Sequence, residues 1–118
     1  MKKNYYYLFG SITKDIEDIN KLLYDKLDLE FQPHESSYVG EYLKYSGMYA
    51  DKITIERNFN KLENDWKEKN FQQYPTLIYV SNINGKNADK LSKSMYLKNA
   101  LTKLEDISLL REDLIEVD

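Results

Sequence analysis

Few residues in this 118-residue chain have the type and spacing that chemistry requires. The single histidine, His34, lies in Pro33-His34-Glu35-Ser36-Ser37. A hydrolase would need Ser36 or Ser37 as nucleophile and His34 as its base. Residues two and three apart in a loop rarely achieve that geometry, and no G-x-S-x-G elbow is present. Gly85-Lys86 has the ending of a phosphate-binding loop, but Val80 and Asn87 occupy the positions of the required glycine and hydroxyl. With only four glycines, the chain has no glycine-rich cradle. There is no cysteine, so thiolate metal sites and disulfides are excluded, and one histidine excludes an imidazole cluster. Paired carboxylates do acid–base work when burial drives their pKa values apart. Glu63, Asp65 and Glu68 flank Trp66 but alternate with Lys61, Lys67 and Lys69, which points to solvent. No catalytic residue, metal or cofactor is therefore expected, and binding is the chemistry that remains.

For binding, the chain has two suitable regions. Tyrosine is over-represented, with 11 against one tryptophan and 4 phenylalanines, and tyrosine gives large contact area at low entropic cost. Aromatics beside carboxylates occur at Tyr38, Glu41, Tyr42, Tyr45 and Glu56, and again at Glu63, Asp65, Trp66 and Glu68. A lone tryptophan among charges is ordinarily an anchor holding its segment to the core; otherwise it is an interface anchor. The second region is favoured as the interface, because polar, weakly periodic segments between strands often carry binding function. The net charge is −3 and is arranged in blocks. Eight acids face Lys21 and Lys26 between Asp15 and Glu41, five lysines face Asp89 between Lys86 and Lys103, and six acids face Arg111 from Glu105 onward. Such blocks form solvated faces, or an acidic patch that attracts a basic partner.

The elements that must position these residues follow from periodicity. Tyr5 to Phe9 reads as a central strand ending at Gly10. Ile12, Ile16, Ile19, Leu23 and Leu27 recur at helical spacing, so a helix is expected over 13–27, capped by Thr13 or Ser11. The stretch from Phe31 to Ser37 reads as irregular because of Pro33. Tyr38 to Tyr45 and Ile53 to Asn58 read as a hairpin around Met48 to Asp51. Asn60 to Asn70 reads as a short helix or an ordered loop. Thr76 to Ser81 is a buried strand, followed by a turn at Asn84-Gly85. A helix over 87–104 would use Leu91, Met95, Ala100, Leu101 and Leu104 for the core, and the tail reads as a last helix or a helix ending in a short strand. The expectation is one α+β domain over residues 1–118. It has an antiparallel sheet of four or more strands with helices on one face, in the ferredoxin-like order β-α-β-β-(α)-β-α. Lys2 and Lys3 precede an apolar stretch too short for a signal peptide, and no segment approaches a membrane span, so a cytoplasmic location is expected.

Two further readings are weaker. An RNA-binding module shares this strand order, but its signature strand maps onto Val39-Gly40-Glu41-Tyr42-Leu43-Lys44-Tyr45 with an acid at an aromatic position, so direct nucleic-acid binding is not expected. A small metabolite-binding or enzymatic domain would need a concave pocket with convergent polar groups.

The segments Ser36-Ser37-Tyr38-Val39-Gly40-Glu41-Tyr42, Tyr45-Ser46-Gly47, Ile53 to Asn60, Asp65-Trp66-Lys67-Glu68 and Tyr74 to Ile78 together resemble a family of bacterial immunity proteins. These belong to contact-dependent growth inhibition and related polymorphic toxin systems. Tyr5 to Gly10 and Gly85-Lys86-Asn87 are similar as well. The likeness spans most of the chain as a pattern of aromatic and turn positions. It implies a cytoplasmic protein without catalysis of its own. Such a protein binds the C-terminal toxic domain of a large exported protein, commonly a nuclease, and blocks its active site or substrate surface. An acidic inhibitor would suit a nuclease that is basic where it meets phosphate.

Overall fold

The computed structural model describes all residues, Met1–Asp118. Its central element is β1 (Lys2–Ser11), whose aromatic run is apolar on both faces and which is hydrogen-bonded to a neighbour on each side. The other elements are α1 (Ile16–Leu27), β2 (Gln32–Ser36), β3 (Gly40–Tyr45), β4 (Lys52–Arg57), a two-stranded ribbon of β5 (Phe59–Asn60) and β6 (Asp65–Trp66), a 3-10 turn at Lys69–Phe71, β7 (Thr76–Asn82), α2 (Asn87–Thr102) and β8 (Ser108–Val117).

Six strands form one sheet in the order β2-β3-β4-β7-β1-β8, with every pairing antiparallel. The α+β class and the antiparallel sheet match the sequence reading; the strand order does not follow the ferredoxin-like pattern. After α1 the chain re-enters the sheet at its far edge as β2. A meander β2-β3-β4-β7 then returns inward until β7 meets β1 through Tyr7↔Val80 and Phe9↔Ile78.

Both helices lie on one face. Tyr5, Tyr7 and Phe9 of β1, Ile53 and Ile55 of β4, and Ile78 and Val80 of β7 meet Ile16, Ile19 and Leu23 of α1 and Leu97 and Leu101 of α2 in a single buried cluster. Each such side chain contributes about 1.5–3 kcal/mol by leaving water.

Local chemistry shifts several boundaries from those the periodicity suggests. α1 begins at Ile16 rather than Thr13, because Asp15 and Asp18 form a reciprocal capping box. Ser11 remains in β1, where its hydroxyl accepts the Lys14 N–H, and Ile12 is left exposed in the connecting bend. The stretch read as irregular is the edge strand β2. Pro33, which has no N–H to give, is tolerated there because an edge strand leaves half its backbone unpaired. The segment 60–70 is neither helix nor plain loop but the ribbon followed by the 3-10 turn. The tail is a strand throughout, pairing with β1 from Lys2↔Val117 to Gly10↔Ser108, with a bulge between Leu8 and Phe9.

The largest departure is the rotation of α2. Leu101 and Leu104 pack on the core as expected, but Leu91 and Met95 face outward, while Lys90 and Ser94 are buried. Polar contacts set this orientation. The Asn82 amide donates to Ser94 Oγ at 2.9 Å, and its oxygen accepts the Asp51 N–H at 2.9 Å. Asn87 accepts the Lys3 N–H and donates to the Met1 carbonyl. Asp51 binds the N–H groups of Ile83 and Asn84, each at 2.7 Å, and so joins the β3–β4 turn to the loop before α2. Burial pushes the Asp51 carboxyl up, but these N–H groups and Lys93 outweigh it and hold the acid below the usual carboxylate range.

Asn82→Ala strips these bonds from a fully buried position. It should lower stability by about 2–4 kcal/mol. Hydrogen exchange should rise first in the N-terminal half of α2; chemical denaturation and amide exchange check both effects.

Candidate interaction surface

The two sequence candidates, far apart in the chain, meet in space. β2 and β3 turn at Ser36–Gly40, where Ser36 Oγ accepts the N–H groups of Tyr38 and Val39. Gly40 has φ 73°, a left-handed conformation that a side chain would strain. This turn presents Tyr38 at 72 % exposure. The ribbon turns through Asn60, whose side-chain oxygen accepts the N–H groups of Leu62 and Glu63, and through Asn64 in a left-handed conformation. The Asn60 amide then donates to the Tyr38 carbonyl. Leu62 Cδ1 lies 3.8 Å from the point where a Gly40 Cβ would stand.

The two tips thus form one surface. Tyr38 and Leu62 are exposed side by side, with Glu63 on the ribbon and Glu41 on β3. Trp66 is half-buried at the flank, edge-on to Phe59 at 5.2 Å. It anchors the ribbon to itself rather than to the main core. Tyr42 stacks on His34 at 5.6 Å, which gives the lone histidine a packing role on the edge strand. Glu35 stands directly opposite Glu41 in the β2–β3 ladder, a like-charge pairing that costs stability. Glu35, Glu41 and Glu63 make no ion pair within the chain, whereas Asp65 is paired with Lys69. Lys69, followed by the Trp66 N–H, holds the exposed Asp65 carboxyl below its ordinary value.

Three of the residues that the sequence suggests for binding have other partners. Tyr45 lies on the helix-covered face, packed on Phe31 and accepting the Tyr49 N–H. Glu56 and Glu68 are drawn into a network on the helix-free face. Glu56, nearly buried, accepts the Thr54 hydroxyl at 2.6 Å and pairs with Lys67. The Lys67 ammonium lies 4.7 Å from the Tyr79 ring centroid. The Tyr79 hydroxyl donates to Glu68 at 2.6 Å, and Arg111 grips both Glu68 oxygens at 2.9 and 3.3 Å. Asn58, fully buried, closes the segment: it donates to the carbonyls of Phe71 and Tyr74 and accepts the Glu68 N–H at 2.8 Å.

Burial pushes the Glu68 carboxyl up, but bonds from Arg111 and Tyr79 outweigh it and hold the acid below its ordinary range. Burial, then the bond to Glu68, drives the Tyr79 phenol far above its ordinary value. Bonding to Glu68 likewise raises Arg111. The network borders a cleft of about 420 Å³ that also takes in Tyr6, Lys52, Ser81 and Asp113.

Sequence reasoning did not single out Asn58, Asn60, Leu62, Tyr79 or Arg111. Only Asn60 carried a local signal, an asparagine placed to cap the N–H groups two and three residues on. The others are defined by partners more than ten residues away. The chain matches no protein-family model and no curated protein.

The network gives stability a two-sided pH dependence. Glu68 titrates below 4.5 when folded, so its contribution is complete above that pH and fades as pH falls further. Tyr79 has the opposite sign: its contribution is complete below pH 10.0 and is lost as pH rises beyond it. Glu68→Gln should flatten the acid limb of a stability–pH curve, and Tyr79→Phe the alkaline limb. Tyr79→Phe should also cost about 1–2 kcal/mol at neutral pH, measured by denaturant titration.

Proposed function

We propose that this protein is an immunity protein that binds a cognate toxin domain, a nuclease, and neutralises it by covering its active site or substrate surface. On this reading it acts in the cytoplasm, has no catalysis of its own and contacts neither nucleic acid nor membrane directly. No helix is long and apolar enough to cross a membrane. The observation that carries the reading is the joined tip surface. Exposed Tyr38 and Leu62 stand beside Glu35, Glu41 and Glu63, which lack ion-pair partners in the chain. Aromatic and aliphatic anchors supply buried area, while unpaired acids select a basic surface and speed encounter with it. A basic partner would also relieve the Glu35–Glu41 opposition. The likeness of the chain's aromatic and turn positions to immunity proteins supports the same conclusion.

The cleft on the helix-free face favours a second reading, a small-molecule site. Against it, the cleft's Glu56, Lys67, Arg111 and Asp113 are already paired with groups of the chain itself.

The test is binding to the toxic domain encoded beside this protein, followed by kinetics. Glu41→Lys with Glu63→Lys should slow association about tenfold at low salt and reduce its salt dependence, with the fold unchanged by circular dichroism. Tyr38→Ala should weaken affinity by about 2 kcal/mol, mostly through faster dissociation. Wild-type affinity and salt dependence in all three variants would eliminate this surface. Failure to bind or protect against the neighbouring toxin would eliminate the function.

A further inference from the structure

The two edges of the sheet are unlike. The β2 edge is five residues long and carries Pro33, His34 and Glu35, features that discourage strand pairing. The β8 edge is ten residues long, has no proline or lysine, and is paired only to β1. Beyond the bulge it runs regularly from Arg111 to Val117. Leu114, Ile115 and Val117 are exposed along it, at 52, 48 and 36 %. On the helix side, Leu114 shares a groove with the outward-turned Leu91 and Met95 of α2. The rotation of α2 that buries Lys90 and Ser94 is what brings these two apolar side chains to the edge.

From this we infer that β8 pairs with β8 of a second copy of this chain. The two-fold axis passes at Leu114, and the sheet becomes continuous across two protomers. Charge selects this occupant. A basic strand would find few free acids, because Glu112 is bonded to Lys98, Asp113 to Arg111, and Glu116 stands opposite Lys3 in β1. With these acids neutralised inside the chain, two β8 edges meet without the repulsion their sequence alone would suggest. Register selects the axis: Leu114 is the midpoint of the regular run Arg111 to Val117. Antiparallel pairing about it sets Leu114 against Leu114 of the second copy and Ile115 against Asp113. Glu112 faces Glu116 with a lysine behind each. A two-fold axis normal to the sheet keeps both helix layers on one side, so the Leu91–Met95–Leu114 grooves of the two copies merge. The toxin-binding surface proposed above lies at the opposite, β2 end of each sheet, so the pairing leaves it free.

The experiment is sedimentation of the full chain over a concentration series, with two variants. Wild type should sediment as a dimer, and Met95→Glu with Leu114→Lys as a folded monomer with an unaltered circular dichroism spectrum. The chain has no cysteine, so Leu114→Cys places one thiol per protomer at the axis. Under mild oxidation it should form a covalent dimer, whereas Glu35→Cys at the other edge should not. A wild-type monomer at hundreds of micromolar would overturn the inference. So would a dimer that survives the double substitution, or equal cross-linking at both positions. If Leu114→Lys does not fold, Met95→Glu alone gives the same reading. Toxin binding by the monomeric variant is unaffected on this model, so loss of the dimer and loss of the immunity function are separately measurable.

Discussion

Two helices must serve six strands, and both lie on the same face. That leaves the opposite face of β1, β4 and β7 to be covered by what remains of the chain, which is the polar stretch from Asn58 to Pro75. Leu8 and Leu77 point to that face and are buried all the same. The cover reaches very close to the sheet: a Cβ on Gly10 would lie 2.9 Å from the Tyr74 ring and 2.8 Å from Leu110. A segment with so few apolar residues cannot be held by the hydrophobic effect alone. It is held by Asn58, which satisfies three backbone groups, and by the chain of contacts from Glu56 through Lys67, Tyr79 and Glu68 to Arg111.

This division of labour determines which acids are left for a partner. Glu56 and Glu68 gain more from Lys67, Tyr79 and Arg111 than they could from an exposed contact, because a partly desolvated, hydrogen-bonded charge is expensive to leave unpaired. The acids that remain unpaired lie where the chain turns, at Glu35, Glu41 and Glu63, and the hydrogen bond from Asn60 to Tyr38 gathers them around an exposed tyrosine and leucine. The same network that closes the open face of the sheet therefore positions the ribbon tip against the β2–β3 turn. Loss of the ribbon's anchorage would disperse the surface without touching any of its exposed residues.

Polar contacts also set α2. A hydrophobic stripe alone would have turned Leu91 and Met95 inward. The bonds from Asn82 to Ser94 and from Asn87 to the start of β1 hold the helix in another setting, and the core is filled instead by Leu97 and Leu101 from α2 and the aromatic side chains of β1. The apolar side chains displaced by that choice end beside the longer of the two sheet edges.

The sequence by itself determined the elements whose signals are local and strong. β1 follows from five consecutive bulky residues, α1 from its 3.6-residue stripe, the β3–β4 hairpin from alternation around Ser46-Gly47, and β7 from an unbroken apolar run. It also determined that binding is the chemistry the side chains offer, and it named Tyr38, Glu41 and Glu63. What only the tertiary structure decided is everything that depends on partners distant in the chain. β2 and β8 are strands because β3 and β1 offer them unpaired backbone, which no window containing Pro33, or the mixed charges of Arg111 to Asp113, could reveal. Glu56 and Glu68 look like surface acids until Lys67, Tyr79 and Arg111 arrive beside them. The two candidate regions become one because an amide at Asn60 meets a carbonyl 22 residues earlier. Periodicity reports which way a side chain points relative to its own element; which element then covers it is settled by long-range hydrogen bonds and charge pairing.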